Sequence, residues 1–244
     1  SIEEANKYMS IEERESKNVA FGVMLCILSP VLLIFLNGLA TKNIVGITEN
    51  IACIIGLSIL FICVAIALFL FIRYSSKVEG FNYLEKDEFE TAYGVVGLVK
   101  DKKTKYEPTY IKYLSLGVIL CILSPVPLII SALIEDDDVL AISMTALLLV
   151  LASIGVYMIV HVVLIKSSYQ ILLQEDDYNK TEKKKNKATE KVGAIYWSLV
   201  TAAYLAWSFI TNNWSSTWII WPIAGVLFAP FSIIVKSLCK PESN

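Results

Sequence analysis

Apolar positions along this chain do not alternate and do not recur at amphipathic helical spacing. They are gathered into six long blocks, at 19–41, 50–72, 113–134, 139–165, 192–211 and 214–235, separated by polar and charged stretches. A helix of about 20 mostly apolar residues covers the roughly 30 Å of bilayer hydrocarbon, so each block predicts a spanning helix. Residues 192–235 contain no charged residue, which leaves room for two spans joined by a tight turn at TNNWSST. The expected fold is therefore an all-α integral membrane protein with six transmembrane helices arranged as three hairpins. The first block is not a removable signal peptide, because it follows the polar SIEEANKYMSIEERESKN, lacks a small-residue cleavage pattern and is long enough to span. Ser1 in place of an initiating Met is read as a chain missing its upstream part.

Composition agrees with that pattern and charge orients it. Hydrophobic residues make up 56% of the 244, and the mean hydropathy is +0.61. Of 21 Lys and Arg residues, all but Lys42 fall in 1–18, 73–112, 166–191 or 236–244. The opposite connections carry Glu49 and the acidic run at 135–138. Basic residues collect on the cytoplasmic side of spanning proteins, so both termini and the two long loops are expected in the cytoplasm. The basic tracts DKKTK (101–105) and KTEKKKNK (180–187) set this topology, and anionic headgroups are a reasonable further contact for them. Cys26, Cys53, Cys63 and Cys121 fall within spans as small apolar residues, and Cys239 is expected in the cytoplasm.

Within the apolar blocks one phrase occurs twice. GVMLCILSPVLLI at 22–34 returns as GVILCILSPVPLI at 117–129, with 11 of 13 positions identical. Each copy opens a predicted hairpin, and each hairpin runs into a related acidic-aromatic tail, YLEKDEF (83–89) and ILLQEDDY (171–178). The first two hairpins thus form a parallel internal repeat, unlike the inverted repeats of many transporters. The expected organisation is a cytoplasmic segment at 1–18, repeats at 19–100 and 101–191, and a Trp-rich third hairpin with its tail at 192–244. Ser29-Pro30 and Ser124-Pro125 lie mid-span. A proline there removes a backbone donor and bends the helix, and a neighbouring Ser helps re-satisfy the freed carbonyl. Two readings stay open for these four residues: a packing kink, or a hinge that moves.

Chemistry is sparse. The sole histidine, His161, is expected to be a satisfied or interfacial residue near the inner end of the fourth span. No hydrolase, metal-binding or phosphate-cradling motif accompanies it, so no enzyme activity, metal or cofactor is expected. The span interiors hold no Asp, Glu, Lys or Arg; such groups mark ion-coupled transport, so their absence weighs against a pump or antiporter. Tyr204, Trp207, Trp214, Trp218 and Trp221 form the informative patch. Trp214, Trp218 and Trp221 share one helix face at i, i+4, i+7, and Tyr204 and Trp207 lie at comparable depth. An interfacial aromatic belt explains Trp214. Trp207 and Trp221 sit roughly 10 Å below the turn, deep enough for an aromatic cleft that accepts a hydrophobic ligand. Asn213-Trp-Ser fits the glycosylation pattern.

The order SIEEANKY, LCILSP, YLEKDEFE with YGVVGLV, LCILSPVPLI and YWSLVTAAYLAWSF with TWIIWPIAGVLF resembles, over nearly the whole chain, a group of Gram-positive bacterial membrane proteins. In these, a six-span region follows a cytoplasmic Xre-type helix-turn-helix domain, and members are often called permeases. The third hairpin is similar to the small membrane domains of cell-wall-antibiotic response proteins. The resemblance implies a membrane-anchored regulator in the bacterial cell membrane. No residue present here belongs to a helix-turn-helix domain, so no nucleic-acid contact is expected from this chain. Its partners would be the bilayer, a hydrophobic or membrane-active ligand, and a second copy of itself. The expected function is a sensor or regulatory domain that relays a membrane-level stimulus to a cytoplasmic domain. The alternatives are a permease for a small or apolar substrate and a non-catalytic subunit held by helix contacts at Gly22, Gly56, Gly117, Gly155 and Gly225.

Overall fold

A computed structural model describes residues 1–42, 46–87, 89–134, 138–212 and 214–238. Residues 135–137 of the acidic run, Glu88, Asn213 of the glycosylation pattern and the tail with Cys239 lie outside the described residues. The chain is 91% helix with no strand among the described residues. Among the described residues nine α-helices follow in order: α1 (Ile2–Thr41), α2 (Glu49–Val78), α3 (Asn82–Lys86), α4 (Val95–Leu123), α5 (Val126–Ile134), α6 (Asp138–Leu173), α7 (Lys180–Thr211), α8 (Trp214–Thr217) and α9 (Ile220–Leu238).

Among the described residues five helical stretches are long and apolar enough to cross a membrane, at Ile2–Thr41, Glu49–Lys86, Val95–Leu133, Val139–Leu173 and Lys185–Thr211; Ile220–Val235 is apolar but shorter. Large apolar side chains along them face outward: on α2, Phe61 is 67% and Ile72 68% exposed. Soluble chains do not leave contiguous apolar faces of this kind open to water, so the pattern is that of a multi-pass membrane protein.

The helices gather into two compact units. The first comprises residues 1–82 and 90–173, and the second 83–89 and 174–244. In the first unit α1 packs along both α2 and α6, and α6 packs in turn against α4 and α5. Glycine permits the closest approaches. A Cβ on Gly56 would lie 2.7 Å from Leu33 Cα, and Gly117 and Gly155 face each other so closely that a Cβ on either would meet the other's carbonyl oxygen at 2.7–2.8 Å. A Cβ on Gly22 would meet the Phe71 ring, whereas Gly225 has open space around it. Small residues that let backbones meet are how helices associate where lipid removes the hydrophobic drive.

Residues 2–18 run without a break into the apolar half of α1. They are the first half of α1, begun by Ser1, whose hydroxyl accepts the Glu4 amide at 3.3 Å. Ala5, Tyr8, Met9, Glu12, Glu15 and Ser16 are buried, and their spacing is that of one helix face. In the second unit α7 packs against α8 and α9. The block expected as one helix over 214–235 is divided at Trp218-Ile219. Pro222 supplies the reason, since its ring opposes the carbonyl four residues back and it has no amide to donate there. That carbonyl, of Trp218, instead accepts the Trp221 amide at 3.0 Å in a tighter turn.

Candidate functional site

The Trp-rich region is an aromatic zipper within the second unit. Tyr196 and Trp197 on α7 contact Phe228 on α9 at 5.3 and 5.6 Å between ring centroids, and Tyr196 also stacks on Phe231 at 5.2 Å. Further along, Trp197 stacks on Trp221 at 6.2 Å, and Tyr204 meets Trp221 at 5.5 Å and Trp214 at 6.1 Å. Phe209 packs edge-on to Trp214 at 5.1 Å. Polar bonds fasten both ends. The Ser208 hydroxyl donates to Thr217 Oγ1 at 2.7 Å, fully buried, and Tyr196 donates to the Ala224 carbonyl at 2.8 Å.

The five residues singled out from sequence therefore separate. Tyr204, Trp214 and Trp221 come together. Trp207 and Trp218 point away, 61% and 58% exposed. The break before Pro222 removes Trp218 from the face that Trp214 and Trp221 would share on an unbroken helix. Tyr196, Trp197, Phe228 and Phe231 were missed. The signal for Trp197 was present, seven residues before Tyr204 and so on the same face of α7.

The two Ser-Pro pairs have the same local chemistry. Pro30 withholds the amide that would serve the Cys26 carbonyl, and Ser29 Oγ donates to that carbonyl at 2.8 Å. Pro125 does the same to Cys121, and Ser124 Oγ donates to it at 2.9 Å. Both serines are buried. The outcomes differ: α1 continues through Pro30, whereas α4 ends at Leu123 and α5 begins at Val126. The later copy has Pro127 where the earlier has Leu32, and a second proline orphans a second carbonyl, that of Leu123.

A buried polar cluster lies where the first half of α1 meets the ends of α2 and α6. The Glu15 side chain is 0% exposed, bonded to Lys77, 2.8 Å from Asn18 Nδ2, 3.4 Å from Arg14 Nε and 3.9 Å from Arg73. Burial alone would raise its pKa; the bonds from Lys77 and Asn18 and the charges of Lys77 and Arg73 outweigh it and hold the carboxyl at about 2. Tyr74 donates to both Glu12 oxygens at 3.1 and 3.2 Å. The Ser16 hydroxyl meets His161 Nδ1 at 3.0 Å, and the imidazole stacks on Tyr157. His161, a lone residue in the sequence, is thus part of the joint between α1 and α6.

Tyr169, buried on α6, donates to Glu13 at 3.3 Å and packs edge-on to Tyr106 of α4. Burial and the neighbouring Glu13 charge raise both phenols, Tyr106 to about 12. Glu107 accepts from Lys166 at 3.0 Å, whose ammonium lies 3.8 Å over the Tyr110 ring. Glu12 and Glu107 are 95 positions apart, as are the repeated phrases. Glu12 is bonded by Tyr74 near the C-terminal end of α2, and Glu107 by Lys166 in the C-terminal part of α6.

In the second unit, Lys183 on α7 is buried and donates to the carbonyls of Leu84 and Asp87, the latter at 3.0 Å, with Phe89 under its ammonium. Lys187 pairs with Asp87 at 2.7 Å, lowering that carboxyl's pKa. These bonds hold 83–89 against the start of α7. Among the described residues no three His, Cys, Asp or Glu side chains are placed to hold a metal.

Comparison with family models, with curated proteins and with solved structures found no match to this chain. What the arrangement can do follows from its own chemistry. Among the described residues the polar clusters hold helices to one another.

Proposed function

We propose that this chain is the membrane-embedded sensing domain of a bacterial regulator, with six spans in three hairpins, the first two related by duplication, and both termini in the cytoplasm. The basic residues support that orientation, since 20 of the 21 lie in the stretches assigned to the inner side. The observation that carries the functional reading is α1. It is one helix of 40 residues, apolar in its second half and locked through Tyr8, Glu12, Glu15 and Ser16 in its first. A change in the spans reaches Ser1 through a continuous rod rather than through a tether, and a cytoplasmic domain attached there would receive it. The span interiors lack Asp, Glu, Lys and Arg, which favours this reading over coupled transport. The stimulus would come from within the bilayer, as lipid disturbance or a membrane-active molecule, because the outer connections are short.

Hydrogen exchange of the chain in lipid nanodiscs, with and without a cationic membrane-active peptide, tests the reading. A coordinated change in protection across residues 5–18 and 73–81 is expected. A response confined to the apolar spans, with 5–18 unmoved, would refute the relay. Solute flux into liposomes that requires the chain would put the permease reading in its place. Orientation is checked separately by labelling single cysteines at Ile2 and Lys42 in whole cells, where only the second should react with an impermeant reagent.

A further inference from the structure

Cations gather around one carboxylate where α1 and α2 meet the polar side of the spans. Arg14 Nε lies 3.4 Å and Arg73 3.9 Å from Glu15 Oε1, the oxygen to which Lys77 also donates. Asn18 donates to the other oxygen at 2.8 Å. Three cations thus share one acceptor atom, and the two arginines reach it only at long range. Exposure separates them from their partner: the Glu15 side chain is wholly enclosed, whereas those of Arg14 and Arg73 are 72% and 46% exposed. A guanidinium carries five N–H donors in a fixed fork, of which Glu15 can use few. The neighbouring acids Glu12 and Glu13 accept bonds from Tyr74 and Tyr169.

The apolar blocks that define the spans also set the depth of this group. Arg73 directly follows the block at 50–72, and Arg14 stands five residues before the block at 19–41. At 1.5 Å rise per residue the greater offset is about 7 Å. That is the thickness of one headgroup layer, given roughly 40–45 Å of bilayer around 30 Å of hydrocarbon. Exposed aromatic side chains continue both helices toward the hydrocarbon. Phe69, one turn from Arg73 on the same face, is exposed, and so is Phe21, two turns from Arg14.

We propose that Arg14, Arg73 and Lys77 form a binding site for the phosphodiester headgroup of an anionic bilayer phospholipid, whose acyl chains lie along Phe21 and Phe69. Arginine forks grip phosphate through two oxygens at once, and basic pockets between spanning helices on the inner side hold acidic headgroups. Glu15 keeps the cations together before the lipid arrives. This site is separate from the basic tracts at 101–105 and 180–187. The proposal rests on the membrane reading above and adds the chemistry by which the bilayer reaches the α1 joint, since a headgroup held by Arg14 and Arg73 bridges α1 to α2.

Native mass spectrometry of the full chain in a non-ionic detergent, titrated with phosphatidylglycerol or phosphatidylcholine, tests the site. Phosphatidylglycerol should bind about thirtyfold more tightly, because choline cancels the phosphate charge in the other lipid. Arg14→Gln with Arg73→Gln should remove that thirtyfold, which is about 2 kcal/mol, or about 1 for each cation lost. Arg14→Gln alone, at the more exposed arginine, should lose about fivefold and keeps the site testable if the double variant does not fold. Lys103→Gln with Lys105→Gln removes the same charge from the first basic tract and should leave binding unchanged. Equal binding of the two lipids, or equal losses from both pairs of substitutions, overturns the site while leaving the membrane reading intact. Displacement of phosphatidylglycerol by millimolar glycerol phosphate would mean that a soluble phosphate is the ligand and overturns the lipid assignment. The membrane reading is checked apart from these constants by floating the chain with liposomes on a density gradient; a chain left in the soluble fraction would overturn it.

Discussion

At the scale of single residues, the carboxylates on α1 matter most. Glu15 has no exposed side-chain surface and faces several cations. Its pKa is depressed on folding from an ordinary 4.5 to about 2. Its contribution to stability is therefore fully present above pH 4.5 and is lost as pH falls toward 2. Lys77 and Arg73 are partly exposed, so water can reach them once the carboxylate is gone. Glu15→Gln is accordingly expected to cost about 2 kcal/mol at neutral pH, the scale of hydrogen bonds to a charged group. Thermal unfolding in detergent should give a wild-type to Gln difference that holds from pH 7 to 5 and narrows below 4.5. A pH-independent difference would mean that the charge is not what matters there.

The Ser-Pro pairs allow a sharper residue-scale argument, because each serine compensates a specific defect. Ser29 Oγ serves the Cys26 carbonyl that Pro30 leaves without a donor. Ser29→Ala should cost roughly 1 kcal/mol, within the range of interhelical and backbone bonds in membranes. In a Pro30→Ala background the amide at 30 is restored and the same Ser29→Ala change should cost almost nothing. A double-mutant cycle by reversible unfolding reads this coupling. Equal costs in both backgrounds would show that the serine is merely filling space.

At the scale of elements, the six apolar blocks were legible because hydrocarbon thickness imposes a length that no soluble helix needs. Breaks were not legible in the same way, since hydropathy counts side chains and a break is a backbone event. Pro222 sits in a run as apolar as any other, yet it divides α8 from α9 and turns Trp218 outward. Pro127 sits in a run nearly identical to that of α1, yet α4 stops before it. Pro222→Ala is therefore expected to join Trp214–Leu238 into one helix and return Trp218 toward the face of Trp214 and Trp221. Trp fluorescence would then report a less polar or more quenched Trp218 against a Trp218→Phe control. An unchanged spectrum would mean that the turn is held by Ser208 and Thr217 rather than by the proline.

At the scale of the whole molecule, the sequence divides by hydropathy and the structure divides by packing, and the two divisions differ at the first helix. Residues 1–18 look like a polar lead-in because Glu12 and Glu15 lower the hydropathy of a face that is nonetheless buried with Ala5, Tyr8, Met9 and Ser16. Spacing alone carries the signal, and only knowledge of Tyr74, Lys77 and His161 across the joint explains why acids occupy it. The aromatic residues of α7, α8 and α9 were legible as a group but not in their pairing, which depends on which rings α7 and α9 bring to the same depth. If the first half of α1 is part of the fold, the amides of Tyr8–Ser16 should exchange hydrogen slowly in nanodiscs. Tyr8 and Met9 are almost wholly enclosed, and truncating both to Ala removes about 5 kcal/mol of packing at typical core values. That loss should free residues 5–16 to exchange within seconds while residues 22–40 stay protected, because the apolar half of α1 is held independently by Gly56 and by the surrounding hydrocarbon. Rapid exchange of 5–16 already in the unaltered chain would mean that the segment is a tether, and the relay through α1 would fall with it.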